Sequence, residues 1–309
     1  MPTDIRDAFF DKICEYAIAD ERVIIITDDM DIFSLRNFKK TCPHRFINPG
    51  VAEQQIVNFA AGLASTGKKV IICGIASFVT FRCYEQIKVN ICSMNLPIVI
   101  VGMGAGLSFS ADGPTHHSIQ DVSVMRSLPE IEIYNPCDSL SAQKCAEISY
   151  FSKSPVYVRM DKGAFPDIYE NLALEHGYCN IITPDKTNVI STGCITHVVH
   201  DVIRELNINV GLIDVFKLKP FDDRIINEIS HSNSIITIEE HTITGGLHSI
   251  VLESSSRLDC NIQVKPIALE DGQYIQYGTR EFLQDQHGLS RKTITKALLK
   301  EEQCQRKLP

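Results

Sequence analysis

Two polar constellations interrupt an otherwise ordinary globular sequence. Ala111-Asp112-Gly113-Pro114-Thr115-His116-His117 sets a carboxylate and two imidazoles on a rigid turn just past an apolar run. Upstream, Gly50-Val51-Ala52-Glu53-Gln54-Gln55 sets a lone carboxylate at the start of an apolar helix. A carboxylate entering an apolar pocket has its pKa raised and can share a proton with a ligand nitrogen. Imidazoles exchange protons near neutral pH. Together these residues predict an enzyme cleft split between two loops of one α/β sheet.

Each constellation also has a plainer explanation. Glu53 in a first helical turn is favoured by the helix dipole and by capping. Asp-Gly-Pro is a turn signal in itself, and adjacent histidines at a helix start can be solvent-exposed caps. Location favours a ligand role. The turn follows a buried strand and the small-residue loop Gly102-Met103-Gly104-Ala105-Gly106, where open α/β sheets place ligands. Phe78, Phe81 and Tyr84 recur at every third residue, which suits either helical core packing or an aromatic slot for a flat heterocycle. Gly245-Gly246 at a helix start suits an anion or a simple cap.

The elements that must position these residues alternate along the chain. Helical spacing predicts helices over 4–19, after Gly50 as far as Gly67, and over 81–93, 119–126 and 140–151. Strands are expected over 22–27, 70–73, 98–101, 132–134 and 156–158. β-Branched runs alternating with helices indicate a parallel sheet covered on both faces. Gly163, Pro166 and a mixed-charge stretch then break the rhythm. A second α/β unit follows, with strands over 178–182, 188–191, 210–214, 234–238 and 263–267. Its helices are expected over 196–206, 223–229 and 246–255, then a polar loop, then a helix around 290–300. The fold class is α/β with two tandem domains, 1–165 and a smaller 177–309, joined by a linker over 166–176.

The bulk composition excludes several classes. A chain of 309 residues suits two domains of about 150, and a net charge of −8 argues against nucleic acid or an anionic membrane as the main partner. No apolar run has the length of a membrane span, and the N-terminus lacks signal-peptide architecture, so a cytoplasmic location is expected. The eleven cysteines include no CxxC pair and sit mostly in apolar segments, which reads as reduced thiols rather than a zinc site or disulfide framework. GxxxxGK[ST], GxSxG and HExxH are absent, removing the common nucleotide, hydrolase and zinc-protease readings.

Arg6-Asp7-Ala8-Phe9, Gly50-Val51-Ala52-Glu53-Gln54, Ala76-Ser77-Phe78-Val79-Thr80-Phe81-Arg82-Cys83-Tyr84, Asp112-Gly113-Pro114-Thr115-His116 and Pro155-Val156-Tyr157-Val158-Arg159 together resemble the C-terminal half of a transketolase, in the form split over two polypeptides. Ile238-Glu239-Glu240-His241-Thr242-Ile243-Thr244-Gly245-Gly246-Leu247 resembles the signature of that family's third domain. The resemblance implies a thiamine diphosphate pyrimidine-binding domain followed by a transketolase C-terminal domain. It implies that Glu53 bonds N1′ of the aminopyrimidine, so that a carbanion formed at thiazolium C2 attacks a ketose carbonyl. Phe78, Phe81 and Tyr84 would line the aminopyrimidine pocket, with Phe81 stacking. His116 would exchange protons with the reacting sugar oxygens, Asp112 would bond a sugar hydroxyl, and Arg159 and Arg6 would receive the sugar phosphate.

Two departures qualify the resemblance. The family grips Mg²⁺ and diphosphate with Gly-Asp-Gly followed by a later Asn, whereas Asp112-Gly113 and Asp271-Gly272 lack the leading Gly and the Asn. No metal ligand is therefore assigned to this chain, and a second, N-terminal subunit carrying that motif is expected, in an α2β2 assembly with the active site at the interface. Ordinary transketolases also place a histidine eight residues before the Asp-Gly aspartate, facing the sugar phosphate. Gly104 stands there, and Ala111 replaces an acidic residue, so a sugar outside the ordinary pentose-phosphate pair is expected. The expected activity is transfer of a two-carbon ketol unit from a ketose (phosphate) to an aldose. The alternatives are the β subunit of a 2-oxo acid dehydrogenase, a deoxyxylulose phosphate synthase relative, and a non-catalytic scaffold that kept the fold.

Overall fold

A computed structural model describes residues 3–169 and 176–305; positions 170–175 of the expected linker lie outside the described residues. The chain opens with α1 (Ile5–Ala19), whose N-cap Asp4 accepts a hydrogen bond from Arg6 N. β1 (Val23–Thr27) follows, buried along its whole length. Next come α2 (Leu35–Thr41), β2 (Phe46–Ile47), α3 (Glu53–Ser65) and β3 (Lys69–Ile75). α3 buries Ile56, Val57, Ala60, Ala61 and Ala64 on one face, and the chain leaves it through Gly67 at φ +89°, as an αL stop requires. α2 and β2 are additions to the expected elements, since neither carries a strong periodic signal.

The helix expected over 81–93 differs most from its expectation. It begins earlier, as α4 (Ala76–Thr80), breaks, resumes as α5 (Tyr84–Gln86), and ends as a π-helical segment Ile87–Cys92. Cys83 leaves helical dihedrals at φ −106° and ψ 9°, and Thr80 returns its hydroxyl to the Ala76 carbonyl. Phe78, Phe81 and Tyr84 therefore do not share one helical stripe. β4 (Val99–Met103), α6 (Asp121–Arg126), β5 (Glu132–Tyr134), α7 (Ser139–Phe151) and β6 (Val156–Met160) complete the first domain close to expectation.

The second domain comprises β7 (Tyr178–Ile182), β8 (Thr187–Ser191), α8 (Ile195–Leu206), β9 (Gly211–Val215), β10 (Lys217–Lys219), α9 (Arg224–Glu228), β11 (Ser234–Thr242), α10 (Leu247–Arg257), β12 (Gln263–Leu269), α11 (Arg280–Gln286) and α12 (Arg291–Gln305). α11 occupies the expected polar loop. Its signal is local and small: Thr279 caps it by accepting from Phe282 N. β11 runs past its expected end at 238 and carries Glu239, Glu240 and His241, all buried.

Two sheets result. The larger has the order β10-β5-β6-β4-β3-β1-β2 and is parallel except for β10. The smaller has the order β12-β11-β8-β9-β7, parallel except for β7. The edge strand β10 belongs to the second domain yet pairs antiparallel with β5 of the first. One hydrophobic cluster likewise joins Ile72 and Ile100 of the first sheet with Ile190 and Ile213 of the second. No described helix is long and apolar enough to cross a membrane.

Asp214 on β9 sits in this shared interior, fully buried, accepting bonds from Tyr169 and Thr196. Burial pushes its carboxyl up to about 7. Because the folded value lies above the unfolded one, its contribution is complete in acid and is lost as pH rises through about 7. Asp214→Asn removes that ionisation, so its melting temperature relative to the parent should climb between about pH 5.5 and about pH 8. Differential scanning calorimetry across that range checks the trend; a flat or falling difference contradicts it.

Candidate active site

Glu53, Phe78 and the histidine turn gather with Asp28 at the carboxyl edge of the larger sheet, where α/β sheets bind ligands. Asp28 follows β1, Glu53 opens α3 after β2, Phe78 lies in α4 after β3, and the 104–118 loop follows β4. Glu53 is only 2% exposed, and its carboxylate accepts a 2.7 Å bond from Arg82 Nη1. The same guanidinium lies 4.4 Å over the Phe78 ring. Phe78 in turn meets His116 edge to face, with ring centroids 5.0 Å apart. The Ser77 hydroxyl donates to the Thr115 carbonyl at 3.0 Å, tying α4 to the histidine turn. Glu53, Phe78 and His116 thus form one wall, although they lie on three separate elements.

The turn itself is fixed by backbone. His116 N bonds Gly113 O, and Gly113 takes φ +78°. Thr115 Oγ1 lies 3.0 Å from His116 Nδ1, which leaves Nε2 for a ligand. Phe109 meets His116 from another side, with centroids 6.1 Å apart. Asp112 is exposed, whereas His117 is buried and burial pushes its imidazole pKa down. The histidines therefore sit in a loop, ahead of α6, and do not cap a helix.

Phe81 and Tyr84 follow Phe78 along the same broken helix. Phe81 is 37% exposed beyond the end of α4. The Tyr84 hydroxyl pairs with Ser127 Oγ at 2.8 Å. Two residues at the site escape sequence reasoning. Arg82 is given no role by the sequence; the structure sets it beside Glu53. Asp28 sits 6% exposed, accepts from Ile75 N at 3.3 Å, and leaves its Oδ1 buried without a partner. Burial pushes the Asp28 carboxyl up to about 7. Its one signal is a carboxylate directly after the apolar run that forms β1.

Arg159, expected to receive a sugar phosphate, also has partners within the chain. Arg159 is 4% exposed on β6. Its Nε donates to Asp121 at 2.9 and 3.0 Å, and its Nη2 donates to the carbonyls of Ser118 and Glu240. A guanidinium so enclosed binds the two domains together. Arg6 is 24% exposed and pairs through two bonds with its own N-cap Asp4. Gly245-Gly246 is no anion site either. The Glu239 carboxylate accepts from Leu247 N at 2.6 Å and His248 N at 2.9 Å, filling the α10 N-terminus from within the chain.

Gly104 is more than a missing histidine. It takes φ +86°, and a Cβ there would stand 2.1 Å from the Phe109 ring. The Phe109 ring fills the place, so a histidine at 104 would have to displace it against an unfavourable backbone conformation.

The second domain holds this loop in shape. Glu240 Oε1 accepts from Leu107 N at 2.7 Å. Arg280 Nη1 and Nη2 donate to the two Asp161 oxygens at 2.9 and 2.7 Å, and its Nε donates to Glu240 Oε2 at 3.0 Å. Ser108 Oγ donates to Asp161. Burial alone would raise the Asp161 carboxyl, but Arg280 holds it below its ordinary value. Removing the cation leaves two carboxylates facing each other. Arg280→Met should therefore cost about 3 kcal/mol, the lower end for a broken buried pair because a fifth of the side chain meets solvent. Urea unfolding measures it, and a loss below about 1 kcal/mol would contradict a clasp of this kind.

Comparison with known proteins agrees with this architecture. The family models "Transketolase, pyrimidine binding domain" and "Transketolase, C-terminal domain" match residues 1–167 and 177–294. One of the subunits of an apulose-4-phosphate transketolase from Phocaeicola vulgatus is 33% identical over 95% of this chain and 96% of its own. A 6-deoxy-6-sulfo-D-fructose transketolase subunit of Clostridium sp. (strain MSTE9) is 27% identical over 95% of this chain and 92% of its own. A solved structure described as a split gene transketolase, inactive beta4 tetramer, superposes with a TM-score of 0.85 at 25% identity, covering 97% of this chain and 98% of that one. These matches favour ketol transfer over the dehydrogenase and scaffold alternatives. With Glu53 buried in its aromatic wall and both domain models matched, the chain belongs to the transketolase family, carrying the pyrimidine-binding and C-terminal domains that split transketolases hold on a separate subunit.

Proposed function

We propose that this chain is the C-terminal subunit of a two-chain cytoplasmic transketolase that moves a two-carbon ketol unit from a ketose (phosphate) to an aldose. The observation that carries the reading is Glu53, a carboxylate 2% exposed at the carboxyl edge of a parallel sheet and linked through Arg82 and Phe78 to His116. The residues fit an aminopyrimidine: a buried carboxylate beside an aromatic face, and a second buried carboxylate oxygen, Asp28 Oδ1, without a partner. Thiamine diphosphate, when bound, supplies the electron sink for cleaving a ketose carbon–carbon bond.

Glu53 would present its oxygen to a ring nitrogen of the cofactor and hold the shared proton there. Arg82 now occupies that oxygen, and with 43% of its side chain exposed it has solvent into which to withdraw. Phe78, Phe81 and Tyr84 are proposed to line the aminopyrimidine pocket, with Phe81 as the stacking partner. His116 would give and take protons at sugar oxygens through Nε2, its other nitrogen being engaged by Thr115. Asp112, exposed on the turn, would accept from a sugar hydroxyl. Arg159 and Arg6 are proposed to receive a sugar phosphate.

The diphosphate and its Mg²⁺ are assigned to a partner subunit carrying the Gly-Asp-Gly…Asn motif, in an α2β2 complex whose active sites lie at the interface. Two relatives whose names specify apulose-4-phosphate and 6-deoxy-6-sulfo-D-fructose support a sugar outside the ordinary pentose-phosphate pair. So does Phe109 packed on Gly104. Calorimetry should find thiamine diphosphate binding only once the partner is added; tight binding and sugar-phosphate turnover by the single chain would falsify the two-subunit site. In the complex, Glu53→Gln should cut ketol transfer by about a hundredfold or more while leaving the melting temperature near that of the parent. Retained turnover would remove Glu53 from the mechanism.

A further inference from the structure

The segment between β12 and α11 belongs to the second domain but ends against the Asp112–His116 turn of the first. It is pinned at both ends. Tyr274 is 6% exposed, donates its hydroxyl to Glu270 O at 2.5 Å and packs on the His287 ring at 3.9 Å between centroids. Arg280 is locked to Asp161 and Glu240. Between these anchors Tyr277 is 65% exposed, with its ring laid against Gly113. A Cβ on Gly113 would stand 2.2 Å from Tyr277 Cε1. Only glycine, here at φ +78°, admits both the turn and the ring.

The Tyr277 ring thus presents an open aromatic face to solvent directly beside the turn. The neighbouring exposed carboxylate, Asp112, gives that surface a use. A carboxylate accepts hydroxyl protons while an aromatic face takes the C–H side of the same polyol. We propose that Tyr277 is a substrate-binding residue: the second domain supplies the aromatic wall of the sugar mouth, against which the aldose acceptor packs while Asp112 takes a hydroxyl. The proposal rests on the ketol-transfer reading and adds to it a specificity residue from the domain outside the chemistry.

The test uses the reconstituted two-subunit complex, hydroxypyruvate as a ketol donor too short to carry a sugar tail, and ribose 5-phosphate or glyceraldehyde 3-phosphate as acceptor. Tyr277→Ala should raise the acceptor KM about tenfold with kcat within about twofold. The hydroxypyruvate KM and the Kd for thiamine diphosphate should stay at parental values. Tyr277→Phe, which keeps the face and loses only the hydroxyl, should restore the acceptor KM. An acceptor KM unmoved in Tyr277→Ala overturns the proposal. So does a parallel rise in the hydroxypyruvate KM or cofactor Kd, which would mark Tyr277 as a prop for the turn. If the parent complex binds thiamine diphosphate but consumes no hydroxypyruvate, the ketol-transfer reading itself fails and this proposal falls with it.

Discussion

One arginine governs the shape of the site. Asp161 and Glu240 are 2% and 4% exposed and approach each other from different domains; without Arg280 between them, two buried carboxylates would face each other unpaired. With Arg280 in place, both carboxylates have oxygens to spare for the loop after β4, and they bind Leu107 N and Ser108 Oγ. A buried amide left unpaired costs about 1–3 kcal/mol, so the loop is held to one path. Gly106 shows how tightly: a Cβ there would stand 2.4 Å from Glu240 Oε1. The position of His116 descends from this contact, since Gly106 pairs in both directions with Ser118 just beyond the histidines.

Adjacent carboxylates on β11 are put to different uses because strand side chains alternate in direction. Glu239 turns into its own domain and closes the α10 N-terminus, where burial pushes it up to about 7 despite two amide donors. Glu240 turns outward to the first domain. His241 then faces Asp121 and Ser123, fully enclosed, with its pKa pushed down to about 4 by burial. It serves as a neutral packing group. Glu240 and His241 thus fasten the two domains, while Glu239 caps a helix of its own.

The sequence discloses this molecule unevenly. Strands such as β1 and β4 are visible because an unbroken apolar run suits the interior of a parallel sheet. Glu53 and the histidine turn are visible because polar residues beside such runs need a reason. What stays hidden depends on partners far along the chain. The Arg159–Asp121 pair spans 38 residues, the Arg280–Asp161 pair 119, and the Glu240–Leu107 bond 133. At that range an arginine awaiting an anion and one already paired with a buried aspartate look the same. The broken helix after β3 is hidden for a related reason, since periodicity registers apolar spacing and takes no account of the off-helix dihedrals at Cys83.

The three residues of β10 have a bearing on how such a chain can be divided. They lend the edge of the larger sheet a strand from the other domain, hydrogen-bonded to β5. Severed at the connector between its domains, the first half would keep an uncovered β5 with its amides and carbonyls unmet, an edge open to unwanted pairing with any passing chain. A division that leaves β5 and β10 on one polypeptide spares that edge. The larger sheet is completed by both domains, and a gene that encoded the first without the second would leave that edge unpaired.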